Sequence, residues 1–499
     1  MKTKHVLFLI IIALMGGSCS DFLEESDKSN FTPENYFKTA EHAQSIVNAI
    51  YADFRMGASG DYGGNPYFMT DFLTGTAGTK VGQNVHINKI RMAANDPDNE
   101  YSRSWWNAAY RAIANANFAI EKIPAIDMDP TTKSRYLGEA LCLRAYHYFN
   151  LVRLFGRVPL VLKPVDASSP ELYPEQASVE DVYKQIVTDL TAAEQTDLRW
   201  DDASGHVTMG VVKSLLGSVY LTMAGYPLEK GREYCALSAA KLREVIDRNA
   251  YRLFESYGDL HNEAMDNLHE HMLMVQYKSG TSVENGMQYL FLPYNLDISY
   301  YSTETGTIVV LDEFVATYEA GDRRAEEKQF YFTNYTSNAD REKVVEFGGY
   351  YLYKFFDEDA HLRTARSGLN YPLMRYADIL LQYAEAQNEA DGAPSDAARA
   401  CVNQIRKRAG LPELGNLSQD EFRKAVRKER WHELAFENKI WFDMARTRKV
   451  LNLTTGEFDD YVGHTFTYGP TLGERELLFP IPTGEMKNNK KLTQNPGYN

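Results

Sequence analysis

The chain has little cysteine, no excess of basic charge and only one long apolar run. Its 499 residues include four cysteines, and the formal net charge is −15 at pH 7. Phosphate binding needs an excess of lysine and arginine, so this charge argues against a nucleic-acid partner. It also disfavours direct adsorption to an anionic lipid surface. The apolar run, Val6–Met15, is about half as long as a helix that spans a bilayer.

The cysteines and the absence of common catalytic and cofactor motifs limit the classes of function further. Cys142, Cys235 and Cys401 lie among apolar helix positions, where free cysteine packs as a small hydrophobe. Their odd number leaves at least one unpaired, and a disulfide between two of them is the alternative. The sequence has no phosphate loop, dinucleotide fingerprint or Gly-x-Ser-x-Gly elbow. We therefore predict no catalytic residues, no cofactor and no metal.

The N-terminus has the order of a secretory signal peptide. Lys2 and Lys4 precede the apolar run, and the small residues 16–18 lead to Cys19. This arrangement resembles a bacterial lipobox, with Cys19 acylated as the first mature residue. We predict a signal peptide at 1–18 and a tether at 19–31; ordinary cleavage beside an incidental cysteine is the alternative. One acyl chain binds a membrane only marginally, whereas a triacylated cysteine would anchor the protein stably.

Helical periodicity dominates the rest of the chain. Apolar residues recur every three to four positions in the windows that predict helices. These are Thr32–Arg55, Ser102–Ile123, Thr131–Phe155, Ser178–Glu194, Thr208–Ala224, Glu233–Arg248, Asp312–Ala320, Met374–Ala390, Pro394–Ala409 and Ser418–Arg448. Short strands are predicted at Leu273–Tyr277 and Val344–Lys354.

The helices arrive as antiparallel pairs. Leu216-Gly217 with Tyr220, followed by Ala239 and Val245, is similar to a tetratricopeptide unit. A pair cannot bury its apolar face alone, so the pairs must stack. We predict an all-α fold, a tetratricopeptide-like solenoid of helical pairs with long irregular insertions on one side. Its single domain, 32–499, has a helical scaffold (32–56, 102–249 and 371–448), insertions at 57–101 and 250–370, and an extended tail at 449–499.

Six blocks along the chain resemble the SusD/RagB family, the lipid-anchored nutrient-binding proteins on the surface of Bacteroidetes. The blocks are Trp106, Tyr110, Ile113, Asn115 and Asn117; Gly138–Ala140, Arg144-Ala145, Tyr148-Phe149 and Phe155–Val161; Arg375–Leu381 and Ala384–Ala386; Asn403, Ile405-Arg406 and Arg408–Leu411; Glu429-Arg430, Glu433-Leu434, Phe436-Glu437 and Asp443; and Phe479–Pro482, Glu485 and Gln494–Tyr498. In the fifth block, Asn438-Lys439 departs from the family's usual glycine. The acidic residues after Cys19 resemble the export signal of surface lipoproteins in the same bacteria.

The resemblance implies a binding protein rather than an enzyme. It implies a location on the outer membrane, facing the medium and anchored by lipid on Cys19. The implied partners are a glycan and a SusC-like, TonB-dependent transporter over which the protein lies as a lid. A peptide ligand, as for RagB, is the alternative, and a surface hydrolase is the rival class of function.

Three carboxylates interrupt an apolar helix stripe. Glu429, Glu433 and Glu437 share an arc with apolar residues, so they must be paired or pay a desolvation cost of several kcal/mol. Arg375, Arg430 and Arg446 are the candidate partners. A glycosidase pair is the alternative, although such pairs occupy clefts.

The insertions carry the candidate ligand contacts, because tyrosine offers both apolar area and a polar group. The first insertion supplies Tyr67 and Asp71, and the second supplies Tyr289, Tyr294, Asn295, Asp297, Tyr300 and Tyr301. The alternative is that these aromatic residues pack the loops onto the scaffold. All five tryptophans lie outside the two irregular stretches 57–99 and 250–370, unlike the family's starch binder, which uses tryptophan.

One cluster has metal-binding residue types. His261, His269 and His271 lie near Glu263 and Glu270, but their spacing fits no known zinc motif. We predict a solvated polar loop here.

Overall fold

The helices of the predicted scaffold are present and close to their predicted bounds. The computed structural model describes residues 37–56, 65–79, 84–166, 169, 172–293, 296–298, 306–361 and 366–498. Its α-helices are Ala40–Ala52, Val85–Arg91, Glu100–Lys122, Pro130–Phe155, Val179–Ala193, Met209–Ala224, Gly231–Arg248, Asp312–Val315, Glu358–His361, Tyr376–Asp391, Asp396–Arg408, Gln419–Leu434, Ile440–Thr447 and Thr483–Asn488. The predictions for the N-terminus concern residues outside the described ones: the signal peptide, lipidation of Cys19 and the helix start at Thr32. The first described helix begins at Ala40, capped by Thr39.

Successive scaffold helices pack as antiparallel neighbours. Met209–Ala224 packs on Gly231–Arg248, which in turn packs on Tyr376–Asp391. Gly217 makes the first of these approaches possible, because a Cβ there would lie 2.5 Å from the Leu242 side chain. The all-α, tetratricopeptide-like prediction is confirmed. Within the described residues, no helix combines the length and the hydropathy needed to cross a bilayer.

The two insertions share one sheet. Four antiparallel strands lie in the order Ala77–Gly78, Val309–Val310, Val344–Leu352 and Tyr331–Thr336. The first strand comes from the first insertion and the other three from the second. A separate two-stranded ladder joins His271–Val275 to Tyr371–Arg375, and a third joins Lys449–Leu451 to Phe458–Asp460. The insertions are therefore more ordered than the sequence predicts.

The predicted helix Ser418–Arg448 is wrong as one element, because it breaks after Leu434. Phe436 and Asn438 have φ angles of 64° and 56°, in the left-handed region. Asparagine tolerates that region better than most residues, which explains its use where the family usually has glycine. The break packs against the first insertion, since the Thr70 hydroxyl donates to Asn438 Oδ1 at 2.6 Å.

The three described cysteines are buried free thiols, as predicted. The tail is less extended than predicted, because it includes the helix Thr483–Asn488 and a strand pair.

Candidate functional site

The three stripe carboxylates are fully buried and paired, as predicted. Glu433 accepts hydrogen bonds from Arg408 Nη2 at 2.7 Å and from Arg375 Nη2 at 3.2 Å. Glu437 accepts from Arg375 at 2.6 and 2.8 Å and pairs with Lys354. Burial alone would raise the pKa of Glu433, but its arginine neighbours lower it to about 2.

The network around these carboxylates draws on more of the chain than the sequence predicts. Of the predicted partners, Arg375 is confirmed, whereas Arg430 pairs with Asp378 and Asp443 and Arg446 pairs with Glu385. The charge network, as we name it, consists of Glu270, Asp322, Arg324, Lys354, Arg375, Arg406, Arg408, Glu429, Glu433 and Glu437. Within this set five cations face five carboxylates, and Arg406 also pairs with Glu319, which is partly exposed. The five carboxylates of the set are at most 3% exposed, so they are closed to a ligand in solution.

The prediction of a solvated polar loop for the histidine cluster is wrong for Glu270 and His271, which are buried. Glu270 is buried because it pairs with Arg375 and Arg408. Burial lowers the pKa of His271 to about 4, and its Nδ1 lies 3.2 Å from the Met265 carbonyl oxygen. Among the described residues, no three histidine, cysteine or acidic side chains are grouped to hold a metal ion.

Tyr67 and Asp71 are core residues. Each is 1% exposed, and the Tyr67 hydroxyl donates to the Phe54 carbonyl at 2.7 Å. Asp71 Oδ1 accepts from the Phe436 amide at 3.2 Å, and burial raises the pKa of this carboxyl to about 8. The structure thus corrects their assignment as ligand contacts, because neither side chain reaches solvent. Both residues instead pack the first insertion onto the scaffold, which is the alternative that the sequence left open.

The second insertion presents the remaining candidates. Tyr289 is half-buried in the middle of the short 3-10 helix Met287–Phe291, and burial raises its pKa. Asp297 is exposed, with a left-handed φ of 53°. Tyr294, Asn295, Tyr300 and Tyr301 lie outside the described residues, so their placement stays a prediction.

The described part of this loop is fixed from two sides. The Asn338 amide donates to the Asp297 carbonyl at 2.8 Å, from the turn between two strands of the sheet. His361 Nε2 lies 2.6 Å from the Ile298 carbonyl oxygen. The sequence did not identify Asn338 or His361, since residues that support a loop from distant elements leave no local pattern. The backbone at Asp297 and Ile298 is therefore held in place by elements that are distant in sequence.

Beneath the loop lies an aromatic layer that unites both insertions with the scaffold. Phe68 packs edge-to-face on Phe291 at 5.9 Å and on Tyr371 at 5.6 Å between ring centroids. Phe355 completes the layer, 5.1 Å from Tyr371. Most insertion aromatics that the structure describes thus serve packing, and Tyr289 itself is partly buried against the core. The ligand contacts predicted for the loop stay a prediction.

A scaffold of helical pairs whose insertions form a sheet is characteristic of one class of protein. Comparisons with known proteins identify that class. A family model described as "SusD family" matches residues 271–498, and one described as "Starch-binding associating with outer membrane" matches residues 21–220. The solved structure of a SusD superfamily protein from Parabacteroides distasonis is 38% identical, with a TM-score of 0.89, over 94% of this chain and 100% of that one. The chain therefore belongs to the SusD family.

Two further relatives extend the comparison. A SusD-like protein of Formosa agariphila is 26% identical over 100% of both chains. A solved structure described as a laminarin-binding SusD-like protein is 26% identical, with a TM-score of 0.74, over 92% of this chain and 100% of that one. These matches cover the scaffold and both insertions together.

Proposed function

We propose that this protein binds glycans at the cell surface and delivers oligosaccharides to a SusC-like, TonB-dependent transporter of the outer membrane. The observation that carries the proposal is the whole-length similarity to a protein that binds laminarin. The buried, paired state of the stripe carboxylates supports a binding role over hydrolysis. A lipid on Cys19 would hold the protein beside its transporter.

The binding surface that we propose is the loop 289–301. Tyr289 and Asp297 are its described candidates, and Tyr294, Asn295, Tyr300 and Tyr301 are candidates from the sequence. Tyrosine rings cover the C–H faces of sugars, while carboxylate and amide oxygens accept their hydroxyl protons. An open surface buries only part of a sugar, so we expect a Kd from micromolar to millimolar, about −4 to −8 kcal/mol.

The test is isothermal calorimetry of the mature chain against defined oligosaccharides and a peptide panel. Tyr300→Ala and Tyr289→Ala should weaken oligosaccharide binding by about tenfold, since an aromatic contact contributes about 0.5–1.5 kcal/mol beyond area burial. Tyr226→Ala is the matched control, because that tyrosine is 40% exposed on the scaffold, away from the insertions. Unchanged affinity in both loop variants would refute the loop site, and binding of peptides alone would refute the glycan assignment.

A further inference from the structure

A groove lies on the scaffold, away from both insertions. Its walls are the helix Glu100–Lys122, the residues Pro159, Val161 and 172–174, and the C-terminal helix Thr483–Asn488. Its volume is about 500 Å³, within the range of small-molecule sites. None of its lining residues belongs to the charge network or to the loop 289–301.

One wall is apolar and open to solvent. Tyr173 is 49% exposed, and its neighbour Leu172 is also exposed. The floor is aromatic, since the rings of Trp106 and Tyr110 lie 5.0 Å apart. Adjacent exposed apolar side chains over an aromatic floor are a common mark of a binding surface.

Polar side chains surround this wall at the rim. Asn107 and Asn488 are exposed amides on opposite sides of the groove. Arg111 is held in place because its Nε donates to Asp53 Oδ1 at 2.9 Å. Glu485 is partly buried between them, and burial raises its pKa. Amide, guanidinium and carboxyl groups together can both donate to and accept from hydroxyl groups.

The backbone of the groove offers little to a peptide. The Pro159 carbonyl accepts the Tyr110 hydroxyl at 2.8 Å, and the Pro174 carbonyl accepts Asn489 Nδ2 at 2.7 Å. The Val161 amide donates to the Tyr148 hydroxyl at 2.7 Å, and its carbonyl accepts from Asn117 and Tyr148. An extended peptide binds chiefly through main-chain hydrogen bonds at a free edge. Since the main-chain groups named here already have partners, the groove favours a ligand that side chains recognise.

We propose that this groove is a second carbohydrate site, in which the Tyr173 ring lies against the face of one sugar unit and Asn107, Asn488 and Glu485 bind its hydroxyl groups. The choice of a carbohydrate as ligand rests on the proposed function, whereas the site is argued from the volume and the lining residues of the groove. A second, separate contact would raise the avidity of the protein for a long polysaccharide, because the second contact forms intramolecularly.

The test is hydroxyl-radical footprinting of the mature protein with mass-spectrometric readout. The probes are laminarihexaose, maltohexaose, cellohexaose and xylohexaose, each at about 10 mM so that millimolar Kd values are detected. We expect at least one sugar to protect Leu172 and Tyr173 from oxidation. In calorimetry, Tyr173→Ala and Asn488→Ala should each weaken the affinity for that sugar by about fivefold, which is the size of one lost aromatic or polar contact.

Controls separate this site from the loop. Tyr226→Ala, again the exposed tyrosine elsewhere on the scaffold, should leave protection at Tyr173 unchanged, and so should Tyr300→Ala. Tyr173→Ala should also keep the melting temperature of the wild type, because the ring is exposed.

The pattern of protection decides between the two sites. Protection confined to the loop around Tyr289 would overturn the proposal of a groove site and leave the proposed function standing. Protection confined to Tyr173 would uphold the groove and refute the loop site. No protection at Tyr173 by any sugar, or protection by peptides alone, would overturn the proposal.

Discussion

Replacement of Glu433 by glutamine tests whether the charge network holds the scaffold together. Glutamine has nearly the same shape but no charge, so the change removes one carboxylate and leaves its cations in place. Arg375, Arg408 and Arg324 all donate to Glu433, and the side chain is fully buried. The variant therefore leaves uncompensated positive charge in the interior.

The expected cost follows from the pKa. The surroundings lower the pKa of Glu433 from 4.5 to about 2, despite its burial. One pKa unit corresponds to about 1.36 kcal/mol, so the fold favours the ionised form by about 3 kcal/mol. Loss of one partner from a buried ion pair costs about 3–5 kcal/mol. The two figures agree, and Glu433→Gln should lower the free energy of unfolding by about 3 kcal/mol.

Urea denaturation followed by circular dichroism measures this cost, with Glu457→Gln as the matched control. Glu457 also pairs with a basic residue, Lys424 at 3.2 Å, but its side chain is 66% exposed. An exposed pair contributes little, so the control should change the free energy by less than about 1 kcal/mol. A Glu433→Gln variant as stable as this control would show that the network does not stabilise the scaffold.

The same variant predicts a pH dependence. Because the folded-state pKa of Glu433 lies below its unfolded value, its stabilisation is complete above pH 4.5 and is lost as the pH falls towards 2. The stability difference between the wild type and Glu433→Gln should therefore be constant from pH 7 to pH 5. Below that it should narrow by up to about 1.4 kcal/mol per pH unit. A difference that stays constant down to pH 3 would contradict the assigned pKa.

Three further predictions concern the anchor, the partner and the buried acid of the first insertion. Cys19→Ala should move the protein from the membrane fraction to the soluble fraction in cells that lack the transporter; a variant that stays membrane-bound would contradict lipidation at Cys19. Purification from native membranes in mild detergent should recover a β-barrel transporter, because a lid over a barrel would bury more than about 2,000 Å²; repeated isolation of the protein alone would count against the complex. Asp71→Asn should raise the melting temperature at pH 7 but not at pH 4, because the folded state keeps the Asp71 proton up to a pKa of about 8 while the unfolded chain loses it near 3.8. A lower melting temperature at pH 7 would mean that Asp71 is ionised in the fold.

The scaffold could be predicted from the sequence because its signals are local. Ser178, Thr208 and Ser418 each cap the helix that they were expected to begin. The break after Leu434 could not be predicted in the same way. The residues 435–439 continue the helical pattern. Asn438 tolerates a left-handed conformation, but Phe436 has no such local preference, and tertiary contacts such as that of Asn438 with Thr70 stabilise the turn.

The candidate site was harder to predict because burial depends on distant elements. Tyr67 and Asp71 lie in a glycine-rich stretch that reads as an exposed loop. They are buried because Phe54, Tyr371 and Phe436, which are far away in sequence, close over them. Tyr173 shows the opposite case, since nothing around it in the sequence distinguishes an exposed tyrosine from a packed one.

The charge network joins the second insertion to the scaffold helix that carries the stripe carboxylates. The second insertion contributes Arg324 and Lys354 to the network, where Arg324 binds Glu429 and Lys354 Nζ donates to the Glu433 carbonyl at 2.7 Å. The insertion is thereby tied to the scaffold through its strands and charges, while the side chain of Asp297 is exposed and takes no part in that attachment. Substitutions in the loop should therefore alter ligand affinity without lowering stability, whereas Lys354→Met should lower stability even though no ligand contact is changed. Carboxylates in an apolar helix stripe raise the question of catalysis when only the sequence is known. In the structure these carboxylates bind Arg324 and Lys354 and so attach the second insertion to the scaffold.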